Sequence, residues 1–420
     1  MANKKITDLN EIFYIKSASD FIVLEDISAN QTKKARPENL PLSLEAESQL
    51  FPYTLWIDNT EPFVAIYQSI DDTEGFKDLT TLEYIYIGVS VTGIGDNTFQ
   101  GCSSLTTVNV PDGVTNLGSY AFYLCSNLIS ATIGNGVTNI GTRTFNECSN
   151  LQSVAISNNV NSIGSSAFRN CFSLISIDIP NSVTSIGERA FYNCIILPRI
   201  TLPDNDNFTF IEDGTFSFCS SLTGINIPYS VTGIGQSAFT ECGSVTGVNI
   251  PDSVTSIGIG AFQICTGLTS VTLPNNIDFT DINSFAFAEC SSLTGVNIPD
   301  SVTSIGERAF AECGSLTSVT LPNNIDFTDI NSFAFAECFS LTGINIPDSV
   351  TGIGERAFSS CSGLTSATLP NNIDFTDINN FTFAECSSLT GINIPDSVTG
   401  IGIAAFQICT GLTSATLPNN

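Results

Sequence analysis

Residues 306–322 read GERAFAECGSLTSVTLP, running from Gly306 through Phe310, Cys313, Leu316 and Val319 to Leu321 and Pro322. The core of this stretch recurs. The fourteen cysteines fall at 102, 125, 148, 171, 194, 219, 242, 265, 290, 313, 338, 361, 386 and 409, with successive spacings of only 23 or 25. Each has Phe three residues before it, and each has Leu three residues after it except at Val245. A fixed period of this length predicts stacked repeats: one coil cannot bury its own apolar side chains, so neighbours share a continuous core.

Within a coil, L-x-x-V-x-I reads as a short β-strand that Pro ends, and D-S-V-T-S-I as a turn followed by a second extended piece. The G-x-x-A-F segment is expected to be a short helical turn closing the coil. The predicted fold class is a repeat solenoid with a parallel β-sheet and short helical turns, its Phe and Cys forming inner ladders. Free Cys packs as a small buried hydrophobe, and cysteines 23 apart form no local chelating motif, so neither disulfides nor metal binding is expected of them.

From Cys265 onward the spacings alternate 25 and 23, giving a near-identical 48-residue double unit. The longer coils carry NNIDFTDIN at residues 275–283, 323–331 and 371–379 where the short ones carry PDSVTSIG. Upstream, Leu79 stands where Cys would, followed by Leu82, Ile85 and Ile87, which marks an atypical first coil. The expected organisation is a small β-rich or mixed N-terminal anchoring and capping domain at 1–78 and a solenoid at 79–420.

These residues resemble the BspA-type leucine-rich repeat, whose coil runs as a strand ending in I-P, then D-S-V-T-S-I-G, then A-F-x-x-C-x-x-L. The resemblance covers residues 79–420 and implies a leucine-rich-repeat fold. It also implies the company of surface and adhesion proteins, and it brings no catalytic residues.

Composition narrows the function. The 420 residues carry 41 acidic and 13 basic side chains, a formal net charge of −28, which excludes a nucleic-acid-binding surface. There is no His, so the commonest general base and transition-metal ligand is missing and an enzyme is the disfavoured class. Residues 1–21, MANKKITDLNEIFYIKSASDF, hold no apolar run of signal-peptide length, and no later stretch reaches ~18 uninterrupted apolar residues. Neither a leader nor membrane insertion is expected.

Seven basic residues lie in the first 77 positions, leaving six against 28 acidic residues from 78 onward. There, Ile6-Thr7-Asp8-Leu9, then residues 19–26 (SDFIVLED), then Thr32-Lys33-Lys34-Ala35 resemble the starts of tailed-bacteriophage fibre, spike and head-appendage proteins. That resemblance implies docking onto other virion structural proteins through residues 1–78. A small capping domain with a strand at 21–24 is the plainer alternative.

Two sets of candidate ligand residues stand out. Asn249, Thr272, Asn297, Thr320, Asn345, Thr368, Asn393 and Thr416 are expected to alternate along one outward strand face, a hydroxyl and amide row suited to sugar hydroxyls; an ordinary solvated β face is the alternative. Asp278 and Asp281, Asp326 and Asp329, and Asp374 and Asp377 repeat every 48 residues. Oxygen-only pairs suit Ca2+, against solvated turn carboxylates. The pairs Glu307-Arg308 and Glu355-Arg356 read as coil-surface charges.

The expected function is non-enzymatic recognition: a virion appendage, made in the host cytoplasm, whose repeats bind a host-surface glycan or protein. The alternative is a BspA-like adhesin at the cell surface. Ice binding by a regular Thr row and glycan depolymerisation rank below both. Fibre-like appendages are often homo-oligomeric, although no coiled-coil motif is visible.

Overall fold

The structure is a computed structural model that describes residues 54–57, 76–80, 82–89 and 91–418. The chain divides into two compact units, Met1–Leu197 and Pro198–Asn420. The strand expected at 21–24 and the phage-like residues 6–35 lie outside the described residues.

Every coil contributes strands of two to four residues, all paired in parallel, as a leucine-rich-repeat solenoid requires. In the first unit, one sheet runs through Thr54–Ile57, Tyr84–Ile87, Thr107–Val110, Ser130–Ile133, Ser153–Ala155 and Ser176–Ile177. A second sheet joins Gly93–Ile94, Asn116–Leu117, Asn139–Ile140, Ser162–Ile163 and Ser185–Ile186. The repeat reaches upstream of Leu79, because the Phe76 ring already stacks on Phe99 at 5.3 Å and Thr54–Ile57 pairs with Tyr84–Ile87. In the second unit the same two ladders recur, for example Ser366–Thr368 beside Gly391–Asn393 and Asp281–Ile282 beside Ser304–Ile305.

The apolar positions of the repeat fill the space between the ladders. Leu316, Ile305, Phe310 and Cys313 are all fully buried, and so are their counterparts in the coils before and after. Within the second unit the rings from Phe216 to Phe406 stack coil on coil, with centroids 5.1 to 5.6 Å apart. Burying one such ring contributes about 1.5–3 kcal/mol. Each thiol has a fixed partner: Cys313 donates to the Phe287 carbonyl of the preceding coil at 3.2 Å, and Cys290 to that of Phe262 at 3.2 Å. All fourteen cysteines are free, and only Cys409 is not fully buried.

The segment expected to be a short helical turn is built differently. Among the described residues no helix occurs, hence none long and apolar enough to cross a membrane. Arg308 and Glu312 have φ of 56° and 60°, and left-handed residues at these two places recur in coil after coil. The hydrogen bonds explain it. Ala309, Ala311 and Cys313 donate to carbonyls three residues back, whereas Arg308, Phe310 and Glu312 donate to Ser332, Ala334 and Ala336 of the next coil. A right-handed helix sends every N–H along its own axis and would leave this edge of the stack unbonded. Alternating the backbone hand lets every second N–H reach the neighbour.

Where the chain enters the turn of a short coil, it nearly touches the coil before it. A Cβ on Gly306 would sit 2.5 Å from the Ser284 backbone nitrogen, and one on Gly141 2.7 Å from the Gly118 carbonyl carbon, so only glycine fits.

The long coils absorb their two extra residues in an asparagine-closed loop. Asn275 N–H donates to Asp252 Oδ1 at 2.8 Å. The Asn276 amide donates to the Val254 carbonyl at 2.8 Å, and its oxygen accepts from Asp278 N–H at 2.8 Å and Phe279 N–H at 3.0 Å. The loop thus turns Phe279 into the core, fully buried like Val254 and Val302 of the coils on either side.

Candidate functional site

Alternation along each strand of the second unit sends Leu, Val and Leu or Ile inward and leaves three columns facing solvent. The first is threonine throughout. The hydroxyls of Thr269, Thr317, Thr365 and Thr413 donate to the backbone carbonyl of the threonine one coil back at 2.8–3.0 Å. Those of Thr294, Thr342 and Thr390, reaching across a 25-residue step, do so at 3.2–3.3 Å. Sequence reasoning passed over this column in favour of the third, although its unbroken Thr was the available signal.

From Gly247 to Ser414 the second column alternates Gly and Ser, and a Cβ on Gly295 or Gly343 would lie 3.2 Å from the hydroxyl of Ser318 or Ser366 in the next coil. The third is the predicted row. The register puts Asn249 beside Thr272, Asn297 beside Thr320, Asn345 beside Thr368 and Asn393 beside Thr416, and all eight are exposed. Among the described residues none of the eight side chains has a hydrogen-bond partner, so the amides offer both donors and acceptors, and the hydroxyls both roles, to a ligand.

The aspartate pairs are exposed. Asp281 is held by the hydroxyls of Thr280 and Ser304, both at 2.7 Å, while Asp278 lies in the preceding turn. Asp329 accepts from Thr328 at 2.6 Å and Asp377 from Thr376 at 2.7 Å, with Asp326 and Asp374 again in the turns before them. Among the described residues, no three His, Cys, Asp or Glu side chains come together to hold a metal ion. Ca2+ takes roughly six to eight oxygens, more than one aspartate pair supplies by itself.

The arginines of the Glu-Arg pairs are more than surface charges. Arg308 lies 4.4 Å over the Phe333 ring and 5.9 Å over Phe285. Arg356 lies 4.5 Å over Phe381 and 5.6 Å over Phe333. These half-buried Phe and Arg side chains interleave along the edge made by the turns. Beside them, burial and the flanking carboxylates of Glu337 and Glu289 raise the Glu312 pKa. Sequence reasoning could not see this stack, since Arg and Phe are 25 residues apart in the closest pairs.

Comparison with known proteins places the fold. The model of the BspA type leucine rich repeat region, in six copies, matches residues 69–197, 184–285 and 280–413. A leucine-rich repeat protein from Bacteroides ovatus is similar at 31% identity over 77% of this chain and 82% of its own, with a TM-score of 0.63. A leucine rich cell surface protein from Faecalibacterium prausnitzii is 32% identical over 78% of this chain and 83% of its own, with a TM-score of 0.45. No match is found among the curated proteins. Coil sequence, parallel ladders and family match agree: the chain belongs to the BspA-type leucine-rich-repeat family.

Proposed function

We propose that the protein is a non-enzymatic recognition protein acting at a cell surface, and that it binds a neutral glycan, free or carried on a protein, along the outward sheet face of its second unit. The observation that carries this reading is the row of eight exposed Asn and Thr side chains, in parallel register, whose hydrogen-bonding groups have no partner among the described residues. Repeat platforms present extended surfaces of this kind, and the surface and adhesion role implied by the sequence resemblance supports the reading. Catalysis has no support here: the carboxylates recur as repeat consensus, and the chain has no His. The virion reading rests on residues 6–35 alone, which lie outside the described residues.

The test is a glycan array probed with the full chain and with a variant carrying Asn297→Ala, Thr320→Val and Asn345→Ala. The expected result is binding to a defined set of neutral glycans that falls ~10-fold or more in the variant, with the melting temperature unchanged. A flat array, or equal signals from both proteins, overturns the reading. Immunogold labelling of producing cells and of purified particles decides location: label on intact cells supports the adhesin, and label confined to particles replaces it with the virion appendage.

A further inference from the structure

The three duplicated long coils carry an apolar side chain that the fold does not use. Ile277, Ile325 and Ile373 are 85%, 85% and 84% exposed, each at the tip of the asparagine-closed loop. The chain contains its own control. In the earlier long coil, Asn205 closes the same loop, accepting from Asn207 N–H at 2.9 Å and Phe208 N–H at 3.1 Å, and the tip residue there is Asp206. The loop therefore needs no isoleucine, and an aliphatic side chain left in water three times over has no structural function.

The surroundings state what would cover it. Each isoleucine is followed by an exposed aspartate, Asp278, Asp326 or Asp374. Each loop is also bonded to an exposed aspartate of the preceding coil, Asp252, Asp300 or Asp348. Residues 198–420 hold 21 acidic and three basic side chains with no Lys, and Arg308 and Arg356 lean on phenylalanine rings in a different turn. Among the described residues the three apolar knobs are set among carboxylates, and of the three cations of this unit Arg308 and Arg356 lie in a different turn while Arg199 lies upstream of all three loops. A second copy presenting the same ridge is repelled, as is an anionic membrane; a cationic surface is attracted.

Spacing selects the form of that partner. Asp281 and Asp329, four residues after their isoleucines, are separated in the sheet by the single strand of Ser304, so equivalent points lie ~9.6 Å apart. Seven residues of α-helix advance ~10.5 Å. Side chains on one face of an extended strand recur every ~6.7 Å and fall out of step. We infer that the Ile277, Ile325 and Ile373 ridge is a docking surface for a cationic amphipathic helix that presents an apolar side chain every seventh residue and flanks it with Lys or Arg. This surface is distinct from the strand face of the proposed glycan site.

The experiment measures fluorescence anisotropy of a labelled peptide of about twenty residues, with Leu at every seventh position and Lys beside each, titrated with the full chain. The controls are the same composition with the leucines scrambled and a proline-containing version that cannot be helical. A triple variant, Ile277→Asp, Ile325→Asp and Ile373→Asp, returns each loop to the form seen at Asp206. The expected result is salt-sensitive binding by the heptad peptide only, weakened ~10-fold or more in the triple variant at an unchanged melting temperature. Because that variant adds negative charge, equal or tighter binding means that charge alone attracts the peptide, and it overturns the inference. Equal binding of either control peptide does the same. Sedimentation showing a wild-type oligomer that the triple variant loses overturns it in favour of self-association.

Discussion

A thiol donated to a backbone carbonyl inside a dry stack is hard to ionise. Burial pushes Cys102, Cys265, Cys313 and Cys361 up to about 12 from an ordinary 9.0, and raises Cys125, Cys171, Cys290 and Cys338 well above that ordinary value too. In each case the folded-state value lies above the unfolded one. The stability these thiols contribute is therefore complete below pH 9.0 and drains away as the pH climbs toward 12. Each costs ~1.4 kcal/mol per pH unit over that window, so the denaturant midpoint followed by circular dichroism is expected to collapse above pH 9. Alkylation of the native protein at pH 8 should mark Cys409, which is half-buried, and leave the other thiols unlabelled in a peptide map.

Hydroxyls show the same dependence on a partner. Ser253 donates to the Val231 carbonyl at 2.7 Å, whereas Ser301, Ser349 and Ser397, which follow long coils, are buried with none. Ser253→Ala should cost about 1 kcal/mol in urea melts, and Ser301→Ala should be neutral or stabilising.

At the scale of the element, the turn carries a backbone cost that the stack overrides. Non-glycine residues in the left-handed region lose ~1–2 kcal/mol each, and glycine already occupies such places at Gly101, Gly214 and Gly260. Ala404, with φ 55°, has no functional side chain to lose. Ala404→Gly should raise stability by about 0.5–1 kcal/mol and Ala404→Val should lower it, both read from thermal melts. This is also where the sequence was least legible. Phe310, Cys313 and Leu316 announce their burial by recurring in register, because ladder packing repeats the same demand in every coil. Nothing in G-E-R-A-F announces a left-handed Arg308, since that conformation is imposed by hydrogen bonds to a coil 24 residues away. The Asn and Thr row was legible because strand alternation fixes its face. The hold of Ser304 on Asp281 was not, because the two lie 23 residues apart.

At the scale of the whole molecule, the double unit is the element of construction. Deleting residues 290–337 removes one complete 48-residue repeat and rejoins the chain in phase, so melting temperature should change little. Deleting 290–312 removes a single 23-residue coil. It makes two long coils neighbours, an arrangement that occurs nowhere in the sequence, and this variant should melt at a distinctly lower temperature. Equal melting of the two deletions would show that alternation is decorative.

The threonine column has a further consequence for selectivity. Every hydroxyl from Thr269 to Thr413 has already given its proton to the coil behind it, so only lone pairs point outward along that line. Whatever lies on it must bring the protons. A glycan whose hydroxyls are capped as O-acetyl or O-methyl groups has none to bring, and a sulfated one meets a like-charged surface. On the proposed glycan reading, chemical masking of sugar hydroxyls would therefore remove the contacts along this one column and leave a masked polymer only the donors of the neighbouring Asn and Thr row.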